Sequence, residues 1–180
     1  MKNFIEKLSS TKYLLMLFGG FIIICILSNT VFRQSFMFLT QTFNYSSEYA
    51  YNLMNSIGET GRKAHLLILI ADLVMVVLYT NFLLGINYRL SCGILKNCHV
   101  ITVITFLPLV LTIVQFSEIV GVAMLVINYS NEYTNIAHLA NTLTIIKFNL
   151  TAICFGLPFV LLCVNILSKL INKRKMKFEG

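Results

Sequence analysis

Apolar residues run along this chain in four long stretches separated by short polar breaks. They are YLLMLFGGFIIICILSN (13–29), AHLLILIADLVMVVLYTNFLLGI (64–86), VITVITFLPLVLTIVQFSEIVGVAMLVI (100–127) and TLTIIKFNLTAICFGLPFVLLCVNILSKL (142–170). Crossing ~30 Å of hydrocarbon takes about 20 helical residues, so the last three are long enough and the first is the shortest. Unpaired backbone groups cannot sit in lipid, and the period-2 alternation of a membrane β-strand is absent, so each span is predicted to be helical. The expected fold class is all-α: an integral membrane four-helix bundle, a single membrane domain over 1–180 with a basic tail at 171–180. Lys2, Lys7 and Lys12 ahead of an apolar run have the look of a signal peptide, but no small-residue cleavage site follows, so the first helix is expected to be retained.

The break at residues 30–63 contains SSEYAYNLMNSIG, in which Ser46 or Ser47 can cap a helix N-terminus and Gly58 can close its C-terminus. Phe32, Phe36, Phe38, Phe43, Tyr45, Tyr49 and Tyr51 crowd the same segment. The pattern predicts a short helix along the outer membrane surface. It is either an interfacial aromatic belt or a lid over a site between the helices.

Composition sharpens the picture. Hydrophobic residues make up 57% and charged residues only 12%, with mean hydropathy +0.80. A soluble domain carries about 25% charged residues, so a water-soluble globular fold is excluded. The net charge of +7 is unevenly placed. With four crossings, one side holds Lys2, Lys7, Lys12, Arg89, Lys96, Lys169, Lys173, Arg174, Lys175 and Lys177, and the other holds Arg33, Arg62 and Lys63. The positive-inside rule then gives a multi-pass protein of the cell membrane with both termini cytoplasmic. The basic tail suits anionic lipid head groups, and a short cluster beside a membrane helix is not expected to bind nucleic acid.

The candidate chemistry lies in polar residues inside the spans. Asp72, Glu118 and Lys147 belong to three different helices, and at about 1.5 Å per residue all fall in the outer half of the bilayer. Each such charge costs about 2.5–3.5 kcal/mol to insert, so they are expected to face one another inside the bundle. Two carboxylates and one ammonium leave an odd negative charge, and Asp72 or Glu118 is expected to hold a proton near neutral pH. His65, Asp72 and Tyr79 share a face of the second helix, Gln115 lies one turn before Glu118, and Thr144, Lys147 and Thr151 form a stripe on the fourth. The candidate ligand-binding set is Asp72, Tyr79, Gln115, Glu118, Lys147, His65 and Thr151. Pro108 and Pro158 sit at one depth and free the carbonyls of Ile104 and Cys154, a pairing that either bends the bundle or opens a cavity beneath the charges. Ser117–Gly121 and Ala152–Gly156 have small-x-x-x-small spacing and predict close approach of the third and fourth helices.

Enzyme motifs are missing. Cys92 and Cys98 are spaced as neither a redox C-x-x-C nor a usual zinc pair, and no phosphate loop, nucleophile elbow or H-E-x-x-H occurs. No catalytic residue is assigned, and no cofactor or metal is expected. The run from Gly58, Gly61 and Arg62 through Asp72 to Tyr79, with Pro108, Glu118 and Lys147 beyond it, resembles a pattern in small bacterial four-helix integral membrane proteins. The resemblance covers roughly residues 50–165. It departs at Gln115, where an aspartate is common, and at Ile119, where an asparagine is. It implies the four-helix fold and these polar positions, without an assigned activity.

Three functions remain open. The favoured one is binding or moving a small amphiphile or cation, with proton linkage through a carboxyl group. The second is a structural or accessory subunit acting through a membrane protein partner, with no ligand. The third is an intramembrane acid–base enzyme on a lipid-like substrate. Membrane lipid is the expected surrounding partner in all three.

Overall fold

The computed structural model describes the backbone of residues 2–32, 39–95, 97–131 and 133–178. Its helices are α1 (Lys2–Leu8), α2 (Thr11–Phe32), α3 (Ser47–Ser56), α4 (Gly58–Cys92), α5 (Cys98–Ile127) and α6 (Thr134–Phe178), with a 3-10 turn at Leu39–Gln41. No strand occurs among the described residues. Gly58–Cys92, Cys98–Ile127 and Thr134–Ile171 are long and apolar enough to cross a membrane, and the described side chains of α2 form a further apolar helix over Thr11–Leu27.

The helices overrun the apolar stretches because hydropathy marks only what prefers lipid, while caps and breakers set where a helix stops. α5 starts where the Asn97 side chain accepts from the backbone N–H of His99 at 2.9 Å. α6 meets no such stop after residue 170 and runs on to Phe178, so the expected tail is largely helix.

Apolar side chains point outward in helical stripes. Leu67, Ile70, Val74 and Val77 are exposed on α4, as are Val103, Val110, Ile113 and Val120 on α5 and Phe159, Leu162 and Ile166 on α6. Exposed apolar surface on this scale has no place in water and is the pattern of a membrane protein.

α4 is the hub, packing against α5, α2, α6 and α1. Lipid gives helices no hydrophobic reason to associate, so close packing and hydrogen bonds must hold them together. The α4–α5 seam carries both. Thr80 and Thr112 hydroxyls lie 2.7 Å apart, and Thr112 donates to the Pro108 carbonyl at 2.9 Å. The Asn87 amide donates at 3.3 Å to the carbonyl of Ile104, which Pro108 cannot serve. Between α5 and α6, Gly121 comes close to Ala140, where an added Cβ would lie 3.5 Å from the alanine Cβ. The predicted Ala152–Gly156 contact does not form: Ala152 is exposed and nothing lies within 4 Å of a Cβ at Gly156. Small spacing alone does not select the buried face of a helix.

The segment before α4 differs from a simple aromatic belt. Ser46 caps α3, accepting from the Tyr49 N–H at 3.1 Å, and Gly58 follows the helix at φ +63°, a left-handed conformation natural to glycine. Leu39, Tyr45, Ala50, Tyr51 and Met54 are buried in the bundle core, while Phe43 is exposed. Phe36 and Phe38 lie outside the described residues, as does the side chain of Phe32. Arg62 fastens this cap, donating to the Met54 carbonyl at 3.0 Å and stacking 3.6 Å from the Tyr129 ring centroid.

α1 was not foreshadowed by the hydropathy pattern. Ile5 and Leu8 bury against α4, and Arg89 donates to the Thr11 hydroxyl at 2.9 Å. The approach is close enough that a Cβ at Gly85 would lie 2.7 Å from the Leu8 carbonyl oxygen, a backbone atom. Gly85→Ala is therefore expected to push α1 off α4 and to lower stability by about 1–3 kcal/mol, as overpacking does. Gly19→Ala, which meets nothing within 4 Å, is expected to cause no loss. Thermal unfolding of the two purified variants in detergent checks both; equal melting behaviour would contradict the contact.

Candidate functional site

The centre of the site is an ion pair joining two membrane helices. Lys147 on α6 places Nζ 2.8 Å from Glu118 Oε1 on α5. Glu118 is fully buried and Lys147 is 8% exposed. A second N–H of the ammonium donates to the backbone carbonyl of Thr40 at 2.7 Å, tying the pair to the 3-10 turn. The Thr144 hydroxyl lies 2.6 Å from the same carboxylate oxygen and 3.0 Å from the Ala140 carbonyl. Helical spacing produces this arrangement, because Thr144 and Lys147 are three residues apart on one face of α6.

Two further groups adjoin the pair. Tyr45, in the cap outside the apolar spans, lies beside Thr144; burial pushes its pKa up to about 12, so it keeps its proton at neutral pH. Asp72 on α4 is half-buried and within electrostatic reach of Lys147 and Glu118. Glu118 Oε2 has no hydrogen-bond partner among the described residues.

Beside the pair lies a cavity of about 340 Å³, walled by Phe21, Thr40, Met75, Tyr79, Gln115, Lys147, Phe148, Thr151 and Phe155. The Tyr79 hydroxyl donates to the Gln115 side-chain oxygen, and its ring lies 5.6 Å from that of Phe155. A second cavity of about 270 Å³ shares Phe21, Tyr79 and Phe155 with the first. Its remaining walls, which include Phe82, Leu83, Ile86, Leu90, Pro158 and Leu162, are apolar and lie further toward the α4 C-terminus. Both sit where α2 and α6 flank α4. α2 packs on α4, and α6 packs on α5 and α4, but among the described residues α2 and α6 have little contact with each other.

Of the residues singled out from the sequence, Tyr79, Gln115, Lys147 and Thr151 line the first cavity. Glu118 lies behind its wall, paired to Lys147, and Asp72 lies alongside. His65 is fully buried on α4 and lines neither cavity. Pro158 lines the second cavity, whereas Pro108 belongs to the α4–α5 seam. Sequence reasoning missed Thr40, Phe21 and Phe155. Thr40 acts through its backbone, which no residue type announces, and the two phenylalanines are indistinguishable in sequence from lipid-facing ones.

The arrangement can hold a ligand by hydrogen bonds at one end and apolar contact at the other. Lys147→Met would leave the Glu118 carboxylate buried without a counter-ion, at a cost of about 3–5 kcal/mol. The double variant Lys147→Met/Glu118→Leu is expected to recover most of that loss, because no lone charge remains. Unfolding in detergent distinguishes the two, and a double variant no more stable than the single one would contradict the pairing. Comparison with protein families, curated proteins and solved structures finds no match to this chain, so the functional reading rests on these residues.

Proposed function

We propose that this protein is a four-crossing membrane protein that binds, and by extension moves, a single-chain amphiphile entering sideways from the bilayer. The supporting observation is the pair of cavities that share Phe21, Tyr79 and Phe155, one carrying Lys147, Gln115 and Thr151 on a mainly aromatic wall and the other wholly apolar. Their sizes suit a small ligand. The scant contact between α2 and α6 offers a lateral way in. An amphiphile is favoured over a bare cation because the wall is mainly apolar and its charged group is the ammonium of Lys147.

In this reading α2 is the fourth crossing, and α3 lies at the outer surface as part of the cap. Both termini are cytoplasmic, in keeping with Lys7, Lys12 and Arg89 on that side and Arg62 and Lys63 on the other. Glu118 is committed to Lys147, which leaves Asp72 as the carboxyl for proton linkage. The absence of an enzyme motif keeps catalysis out of the proposal, and a ligand-free accessory role is the outcome if no binding is found.

Two measurements test this. Reporters fused at either terminus are expected to read out as cytoplasmic, and an external signal from one terminus alone would refute an even number of crossings. An alkyne-tagged diazirine hexadecanol should label the detergent-purified protein saturably, with modification on α2, α4 or α6. Ile86→Trp and Leu162→Trp, which fill the apolar cavity, are expected to cut labelling roughly tenfold. Val110→Trp, on an exposed face of α5 outside these cavities, should leave it unchanged. Any pH dependence of labelling should vanish in Asp72→Asn. Labelling that is unsaturable, or indifferent to the cavity-filling variants, would reject the site.

A further inference from the structure

The polar end of the cavity has a specific chemistry. An ammonium carries three donors, and Lys147 uses one on Thr40 and one on Glu118. The third has no acceptor among the described residues, and Lys147 lines the cavity with the Phe148 ring centroid 5.0 Å from Nζ. Gln115 accepts from Tyr79 through its oxygen, so its amide nitrogen remains a donor. Thr151 adds a hydroxyl to the same wall. The wall therefore presents donors in excess of acceptors.

Its charge is already balanced. Glu118 compensates Lys147 at 2.8 Å, and no carboxylate is among the described residues that line the cavity. An anionic head group would meet an ammonium that Glu118 has already neutralised. A cationic one would face the Lys147 ammonium and a wall of donors with few acceptors. Either would bring an uncompensated charge into a low-dielectric site, where it is costly.

We infer that the head-group end of this site selects an uncharged, acceptor-rich head group, such as the glycerol ester of a monoacylglycerol, and rejects fatty carboxylates and long-chain amines. This rests on the amphiphile-binding reading above. Lys147, Gln115 and Thr151 donate to the ester and hydroxyl oxygens, and the acyl chain follows Phe155 and Tyr79 into the apolar cavity. Glu118 is a positioning residue that sets the preference by neutralising Lys147 without touching the ligand.

The test is displacement of the diazirine hexadecanol from the full-length protein by monopalmitoylglycerol, palmitate and sphingosine. Monopalmitoylglycerol is expected to compete roughly tenfold or more better than either charged amphiphile. Glu118→Gln keeps the shape and the acceptor for Thr144 but exposes the Lys147 charge. It is expected to shift the preference toward palmitate by roughly tenfold, which a merely structural role for Glu118 would not do. Palmitate or sphingosine competing as well as the monoacylglycerol in the wild-type protein would overturn the inference while leaving the amphiphile site standing. An unchanged preference in Glu118→Gln would overturn the role of Glu118. Hexadecanol labelling that nothing displaces would overturn the underlying reading, and this inference with it.

Discussion

A buried ammonium must have its partners, and Lys147 finds them in three parts of the chain. It sits on α6, its counter-ion Glu118 is on α5, and its second acceptor is the Thr40 carbonyl in the segment between α2 and α3. In water such a pair contributes little, because solvent competes for both charges. Inside an apolar bundle each partner alone would be expensive, so the three segments are held to one geometry. The fit of α6 against α5, with Gly121 close to Ala140, and the seating of the cap over the bundle both surround this point. The cavity wall is a by-product of the same fixation, since the side of Lys147 not used for pairing lines open space.

The α4–α5 seam solves a related problem by different means. Hydrogen bonds between Thr80 and Thr112, and from Asn87 to the Ile104 carbonyl, join the helices where no hydrophobic force would. Pro108 would otherwise leave that carbonyl bare in lipid, and its kink is tolerable because a neighbouring helix supplies the missing donor. Among the described residues α2 packs on α4, and it has little contact with α6.

Much of this was legible in the sequence, because the cost of burying charge is large and general. Glu118 and Lys147 had to meet wherever the helices allowed, and the apolar stretches had to be helical. The parts that escaped rest on smaller or less specific signals. Among its described side chains α1 buries Ile5 and Leu8, too few residues to show a periodicity. Tyr45 and Tyr51 read as interfacial aromatics, since an aromatic near a span end suits either an interface or a core. Ala152 and Gly156 followed a spacing that marks close helix contacts only when the face is buried, and theirs is open. His65 shares a face with Asp72 by helical arithmetic, yet seven residues of rise carry it away from the cavity.

Thr40 serves Lys147 through its main chain, and that has an evolutionary corollary. Every amino acid owns a carbonyl oxygen, so selection for this contact acts on the path of the polypeptide and leaves the identity of the side chain unconstrained by it. Among descendants of this gene the letter at position 40 can drift while the span of chain delivering it to the ammonium holds its length. Insertions and deletions there would be purged where point changes pass, and the contact would be invisible to any survey that scores columns of residues alone.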